Sequence, residues 1–500
     1  MRLVALSALA LGSAAACAQD APAASGSRAG LSITPRLSLT ETWTDNLNLR
    51  QDKDQALVTE VSPGISIRNN VGRLRGSLDY SLNSILYLKT DEKNRVQHAL
   101  AGQALAELLD RSLFVDMRAS ISQQVTSAFG QQTVDNTLSN ANRNEVANVS
   151  VSPYLKGQLA GLVSYSLRAN LNEVNTKDSS IGDSRTRGGS LQLGGLSSGA
   201  VGWYATASKQ KTSYKVGNDS SIAQANAGLT YQPDIDWRFN VSAGRERSDY
   251  LNGIQQSSGS YGGGVFWTPT ERTKIAADYQ RHSYGNGHTL SLDHRMAHST
   301  WRISDIQSVQ LGSDQNSIGP RSNYTLFYEQ FASLVPDPIQ RDLFVRAFLQ
   351  ALGLSPDAIA TSGFLAAGPS LMRAQEFSFS LTGARLTMTA LFGRTETRQL
   401  GSATGAGDLG LASRIIQRGG TVSLAYRLTP TASTNLSYVQ QDSRGEGSNL
   451  SSSLHSLTAN WSDRLGPYLS FSVGARHAWF DSPTAPYREN AVFANLVQQF

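Results

Sequence analysis

Apolar and polar side chains alternate in steps of two along most of this chain. Leu74, Gly76, Leu78, Tyr80 and Leu82 are interleaved with Arg73, Arg75, Ser77, Asp79 and Ser81. Successive side chains of a strand point to opposite faces, so such a segment has one apolar and one polar side. Val163, Tyr165, Leu167 and Leu171 oppose Ser164, Ser166, Arg168 and Asn172, and Trp237, Phe239 and Val241 oppose Arg238, Asn240 and Ser242. Later, Phe377 and Phe379 stand against Ser378 and Ser380, and Val422, Leu424 and Tyr426 against Thr421, Ser423 and Arg427. Near the end, Leu469, Phe471 and Val473 stand against Ser470, Ser472 and Arg476. Strands are predicted throughout.

The connections alternate in length. Short turns fall at 69–73, 110–111, 158–161, 197–202, 233–236, 269–272, 295–299, 383–385, 429–433 and 463–467, with longer polar loops between them at 126–145, 175–187, 399–414 and 440–451. Residues 488–500 read RENAVFANLVQQF, with Val492, Ala494, Leu496 and Phe500 on one face and Gln498 as the departure. Such a strand is long enough to cross a bilayer. It resembles the closing strand of a bacterial outer-membrane barrel, whose terminal aromatic, here Phe500, is read by the barrel-insertion machinery. The pattern predicts an all-β fold: one closed antiparallel transmembrane barrel of about 22 strands over residues 31–500, short turns in the periplasm and long loops outside. The count keeps its even parity only if residues 288–310 are two strands divided at 295–299. Trp43, Tyr87, Trp203, Trp237, Trp267 and Trp479 are expected to form the interfacial girdles.

One loop differs. Residues 311–374 are longer than a turn needs, and Asp337-Pro338 begins a helix near 338–352, which Gly353 ends. Ile339, Leu343, Phe344, Ala347, Phe348, Ala351 and Leu352 form its apolar stripe. An extracellular helix with such a stripe must bury it. Folding inward as a constriction is the preferred reading, with docking of a partner or packing on the rim as alternatives.

The mean hydropathy of -0.28 is ordinary for a soluble protein, but a barrel with one lipid face and one polar face averages to the same value. Arg2, an apolar run over 3–11 and the small residues ending at Ala16-Cys17-Ala18 are read as a signal peptide, 1–18, followed by a periplasmic linker, 19–30. Lipidation of Cys17, the only cysteine, is the competing reading, although Ala14 stands where a Leu is expected. A net charge of +5, dispersed along 500 residues, gives no case for nucleic acid.

Chemistry is sparse. His282, His288, His294 and His298 lie close together in sequence with Asp278 and Asp293, but without the short spacing that fixes a metal's ligands. No nucleotide loop or paired-cysteine motif exists, and no cofactor is expected. The lumen says more: Arg73, Arg75, Arg118, Arg168, Arg238, Arg302, Arg427 and Arg476 are assigned inward, with Asp79, Asp116, Asp278 and Glu376. Such walls can select solutes by charge, or the charges can pair across strands and only brace the wall.

The stretches ITPRLSLTETWTDNLNL at 33–49, TEVSPGISI at 59–67 and VPDPIQRDLFVRAFLQALGLSP at 335–356 resemble the outer-membrane barrel family associated with PEP-CTERM and exopolysaccharide systems. The resemblance implies an outer-membrane protein in an exopolysaccharide context and carries over no functional residues. Its partners are then membrane lipid, the insertion machinery and polysaccharide-export components. A passive channel or export conduit for exopolysaccharide or other polar solutes is the first expectation. A structural or docking barrel is the alternative, and an outer-membrane hydrolase the third.

Overall fold

The computed structural model describes residues 30–500, apart from 89, 197–198, 251–252, 312–322, 332–340, 342–344, 347, 350–362 and 402–406. The first strands are β1 (Leu31–Thr44), β2 (Ala56–Asn69), β3 (Leu74–Leu88), β4 (Arg95–Leu109), β5 (Leu113–Val125), β6 (Arg143–Leu159) and β7 (Val163–Thr176). Next come β8 (Ser184–Gly195), β9 (Val201–Tyr214), β10 (Ser220–Tyr231), β11 (Trp237–Ser248), β12 (Gln256–Thr270), β13 (Thr273–His282), β14 (Gly285–Arg295) and β15 (Ser299–Gln310). The chain ends with β16 (Ser370–Thr382), β17 (Leu386–Gln399), β18 (Arg414–Arg427), β19 (Ala432–Glu446), β20 (Ser451–Arg464), β21 (Leu469–Asp481) and β22 (Tyr487–Gln499).

All 22 strands form one sheet in which each pairs antiparallel with its sequence neighbours. β1 pairs with β22, from Arg36 opposite Gln499 to Thr44 opposite Ala491, and closes it. Closure removes both sheet edges, so the backbone donors and acceptors in the wall are satisfied without water. Residues 288–310 divide into β14 and β15 as the parity of the count requires, because Arg295 and Ser299 bracket a turn tied by Met296 N–H to Ser299 O at 2.7 Å.

The register carries the alternation around the wall. Leu391 faces Thr421 and Thr389 faces Ser423, while Phe392 faces Gly420 and Met388 faces Leu424. On the second set lie exposed large apolar side chains that continue around the barrel: Leu167, Leu229, Val241, Ile303, Phe392, Leu436, Val492 and Leu496. A continuous outward apolar band is stable against lipid and costly against water. The chain is an outer-membrane β-barrel. No described helix is long and apolar enough to cross a membrane, a test that does not apply to strands.

Both described chain ends and most of the short turns share one rim, the periplasmic one; the longer loops share the other, together with the two-residue turn between β13 and β14. Trp237 and Trp267 stack outward near the periplasmic rim at 4.9 Å, with Trp203 near them in height. Trp43 and Trp479 take the opposite girdle on the outward face. Tyr87 does not join them: it is inward and buried, and its hydroxyl donates to Thr137 O at 2.7 Å. Phe500 is exposed at the seam, its N–H donating to Pro35 O at 3.0 Å.

Aromatic rings lie over glycines on the neighbouring strand. A Cβ on Gly420 would meet the Phe392 ring at 2.7 Å, and one on Gly474 would meet the Phe493 ring at 2.5 Å. Gly420→Val should therefore displace Phe392 and cost about 1–3 kcal/mol. A thermal unfolding midpoint equal to that of the unaltered barrel, read by heat-dependent gel mobility, would show the ring has room elsewhere.

One loop boundary differs from the sequence expectation. β16 begins at Ser370, so the β15–β16 loop is shorter than 311–374. It also holds an earlier helix, α1 (Asn323–Gln330). Its apolar residues fall at Tyr324 and in the unbroken run Leu326-Phe327-Tyr328, which gives no strong helical period, and the strand-rich surroundings hide it. A one-turn helix, α2 (Asp408–Leu411), lies in the β17–β18 loop.

Candidate functional site

Three of the eight arginines assigned inward, Arg168, Arg302 and Arg476, form ion pairs. Arg168 meets Asp116 at 3.1 Å and lies 4.2 Å from the centre of the Tyr154 ring. Arg302 meets Asp293 at 2.8 Å across the β14–β15 pair. Arg238 covers the Phe266 ring at 4.9 Å. Asp79 accepts from Ser66 and from Arg68 at 3.4 Å, with Arg36 at 3.7 Å. Arg118 is exposed to the interior space, and Arg427 ends β18 on a cavity of about 420 Å³ at the periplasmic rim. Arg75 opens β3 at that rim and donates to Gly72 O at 3.3 Å. Arg73 is not on the wall: it sits exposed in the β2–β3 turn, because the strand starts one residue after it.

A wedge crosses the lumen from the β15–β16 loop. On one side Leu326 of α1 packs on Leu391 of β17, and Phe327 packs with Val345, Leu349 and Ala425 of β18. Phe348 closes this core, its ring 5.1 Å from both Phe327 and Phe331. On the other side Arg346 reaches Asp79 of β3 at 3.8 Å and lies 4.9 Å from the Tyr324 ring centre. Tyr324 and Arg346 line a cavity of about 320 Å³ with Ser77, Arg118, Asn148 and Asn172 of the facing wall. β3 and β18 are far apart around the barrel, so one segment touching both spans the interior. Of the helix residues read from the sequence, Phe348 is in this core; Ile339, Leu343, Phe344 and Leu352 lie outside the described residues.

A second obstruction covers the extracellular mouth. Residues 126–142, between β5 and β6, fold inward. Leu138 is buried among Leu47, Val58, Ile85, Leu454 and Phe480, which reach it from β2, β3, β20, β21 and the β1–β2 loop. Tyr487 Oη donates to Gln132 O at 2.6 Å and Arg95 to Leu138 O at 2.9 Å. Phe129 packs with Phe364, Leu409 of α2 and Ile415. Asp408 accepts from Ser127 Oγ at 2.7 Å, and burial pushes its carboxyl up.

The mouth's central tie is ionic. Arg476 of β21 meets Asp135 of the lid at 2.8 Å and Glu489 of β22 at 2.7 Å, and Thr44 Oγ1 donates to Glu489 at 3.1 Å. All are buried. Burial alone would raise the Asp135 carboxyl, but the Arg476 charge and the Thr137 N–H and hydroxyl outweigh it and hold the group below its usual range. The alternation of β21 places Arg476 inward but does not reveal its lid partner. The available signal was Phe129, Val134 and Leu138 within an otherwise polar loop.

The four clustered histidines separate. His282 is inward against Glu246 at 2.8 Å, and His288 is outward against Asp305 at 3.1 Å. His294 is outward with Thr273 at 2.9 Å. Opposite faces of one wall cannot ligate a common ion, and no metal-holding group of acidic, His or Cys residues occurs among the described residues.

No known family profile matches the chain, and no curated protein does. Solved structures similar to it include the FrpB iron transporter from Neisseria meningitidis (F5-1 variant), at 10% identity and TM-score 0.47 over 94% of this chain and 83% of that one. The siderophore receptor PirA from Pseudomonas aeruginosa is similar at 10% identity and TM-score 0.43, over 93% and 80%. The outer membrane protein opdK from Pseudomonas aeruginosa is similar at 10% identity and TM-score 0.35, over 94% and 99%.

Proposed function

We propose that this barrel is a gated passive conduit for polar solutes, exported exopolysaccharide among them. The observation that carries this reading is the wedge joining Ala425 on one wall to Asp79 on the other. A segment so placed obstructs a polar lumen, and its attachment at two loop ends lets it leave without disturbing the strands. The wall around it presents hydroxyls, amides and paired charges, which suit hydrated solutes moving by diffusion. Phe500 serves as the handle for insertion, and no covalent chemistry is required of any residue.

Single-channel conductance of the refolded protein in a planar bilayer tests it. The unaltered barrel should conduct little. Replacing residues 312–362 by a short Gly-Ser link should enlarge the step several-fold, and an acidic polysaccharide should block the enlarged pore. Silence from both proteins would sink the conduit reading and favour a barrel that works through its loops as a docking structure.

A further inference from the structure

The outward face of β7–β11 changes character with height. In the bilayer band it carries Leu167, Leu191, Trp203, Leu229 and Val241, all exposed. Continuing on the same face toward the extracellular rim come Arg187, Lys209, Lys211, Arg245 and Arg247. Arg187 stands directly opposite Lys211, and Lys209 and Arg247 both face Ala223 from its two sides. Like charges across a strand pair repel and are destabilising unless an anion sits between them.

The acids nearby are committed elsewhere. Arg185 takes Glu173 at 2.9 Å, Lys211 takes Asp219 at 3.0 Å and Lys215 takes Asp183 at 3.2 Å. Arg187, Lys209, Arg245 and Arg247 are exposed, and none is in an ion pair among the described residues, although the charge of Arg187 acts on nearby Glu173, which Arg185 already holds. Beside them opens a cavity of about 490 Å³ lined by Arg185, Arg187, Lys211 and Lys215 and by the two ion-paired acids Glu173 and Asp183.

We propose that this face binds the phosphorylated headgroup of an outer-leaflet glycolipid. The arginines and lysines would hold its phosphates by charge-assisted hydrogen bonds, with Arg able to bind in a two-pronged way. The acyl chains would then lie down the apolar band directly below, a continuity that a free anion would not use. Basic residues at a membrane surface attract anionic lipid in this manner. The binding is independent of whether the lumen conducts.

The test titrates the refolded whole chain in detergent with diphosphoryl lipid A and with its dephosphorylated counterpart, counting bound lipid by native mass spectrometry. The phosphorylated lipid should be preferred at least about tenfold. Arg187→Gln, Lys209→Gln, Arg245→Gln and Arg247→Gln together should abolish the preference while heat-dependent gel mobility stays that of a folded barrel. Should that variant not fold, the pair Arg245→Gln and Arg247→Gln should still reduce it several-fold. Equal retention of the two lipids, an unchanged preference in the variants, an equal loss from Arg111→Gln on a periplasmic turn, or displacement by inorganic phosphate at equal charge would each overturn the proposal.

Discussion

Arg476→Met should loosen the extracellular lid more than any other single change in the mouth. Met keeps most of the volume, so the loss is ionic: Asp135 and Glu489 remain buried beside each other with the cation gone. Removing one partner of a buried ion pair costs about 3–5 kcal/mol, because the other charge is left uncompensated. Here the strain has an outlet. Asp135 lies on a loop and can return to water, so the lid should open before the barrel unfolds. Limited proteolysis should show new cleavage within 126–142 while the strands stay resistant. Asp135→Asn should give a milder version, since it leaves Arg476 with Glu489. If loop and strands became sensitive together, the tie would be part of the wall's stability and not a latch.

The same tie sets a pH dependence. Asp135 in the closed lid is held below its usual range by Arg476, so the closed state binds fewer protons than the released loop. Its contribution is fully present above the released loop's carboxylate pKa, near about 4, and is lost as pH falls through the lower closed-state value. The lid should stay protease-resistant at neutral and mildly acidic pH and open only below the usual carboxylate range. Opening centred near pH 6 would assign control to another group.

The wall was legible because its two faces meet different solvents, and a strand's period of two writes that difference into every second residue. Leu167 and Arg168, or Trp237 and Arg238, need no partner's position to be assigned a side. The lid and wedge were harder for the opposite reason. Leu138 and Phe129 are buried by contacts with β2, β3, β18 and β20–β22, which follow from closure of the barrel and from no local period. The same holds for Leu47 and Leu49 in TDNLNL, which look like loop residues and are fully covered beneath the lid. Inward placement of Arg476 could be read locally; its bond to Asp135, from a loop across the mouth, could not. Tyr87 shows the limit of composition: a Tyr near a strand end suits a girdle, but its face is inward and a lid carbonyl takes its hydroxyl.

Phe327→Asp should open the lumen without deleting any residue of the wedge. Phe327 is fully buried among Val345, Leu349, Phe348 and Ala425. Truncating such a side chain to Ala costs about 3–5 kcal/mol, and a carboxylate there adds the penalty of an unpaired buried charge. Moving a two-state equilibrium from 1:99 to 99:1 needs about 5.5 kcal/mol, so the substitution is large enough to invert a closed population of that size. The penalty disappears when the wedge leaves the wall for lumenal water, whereas the 22-strand ladder makes no use of Phe327 and should keep its heat resistance. Phe327→Leu, which retains most of the apolar contact, should stay near the unaltered conductance. Open steps from Phe327→Asp with an intact barrel would make the α1 core the gate's hinge of stability. An intact barrel that stays closed would mean that the Arg346–Asp79 contact and the cavity wall on the β3 side hold the wedge alone.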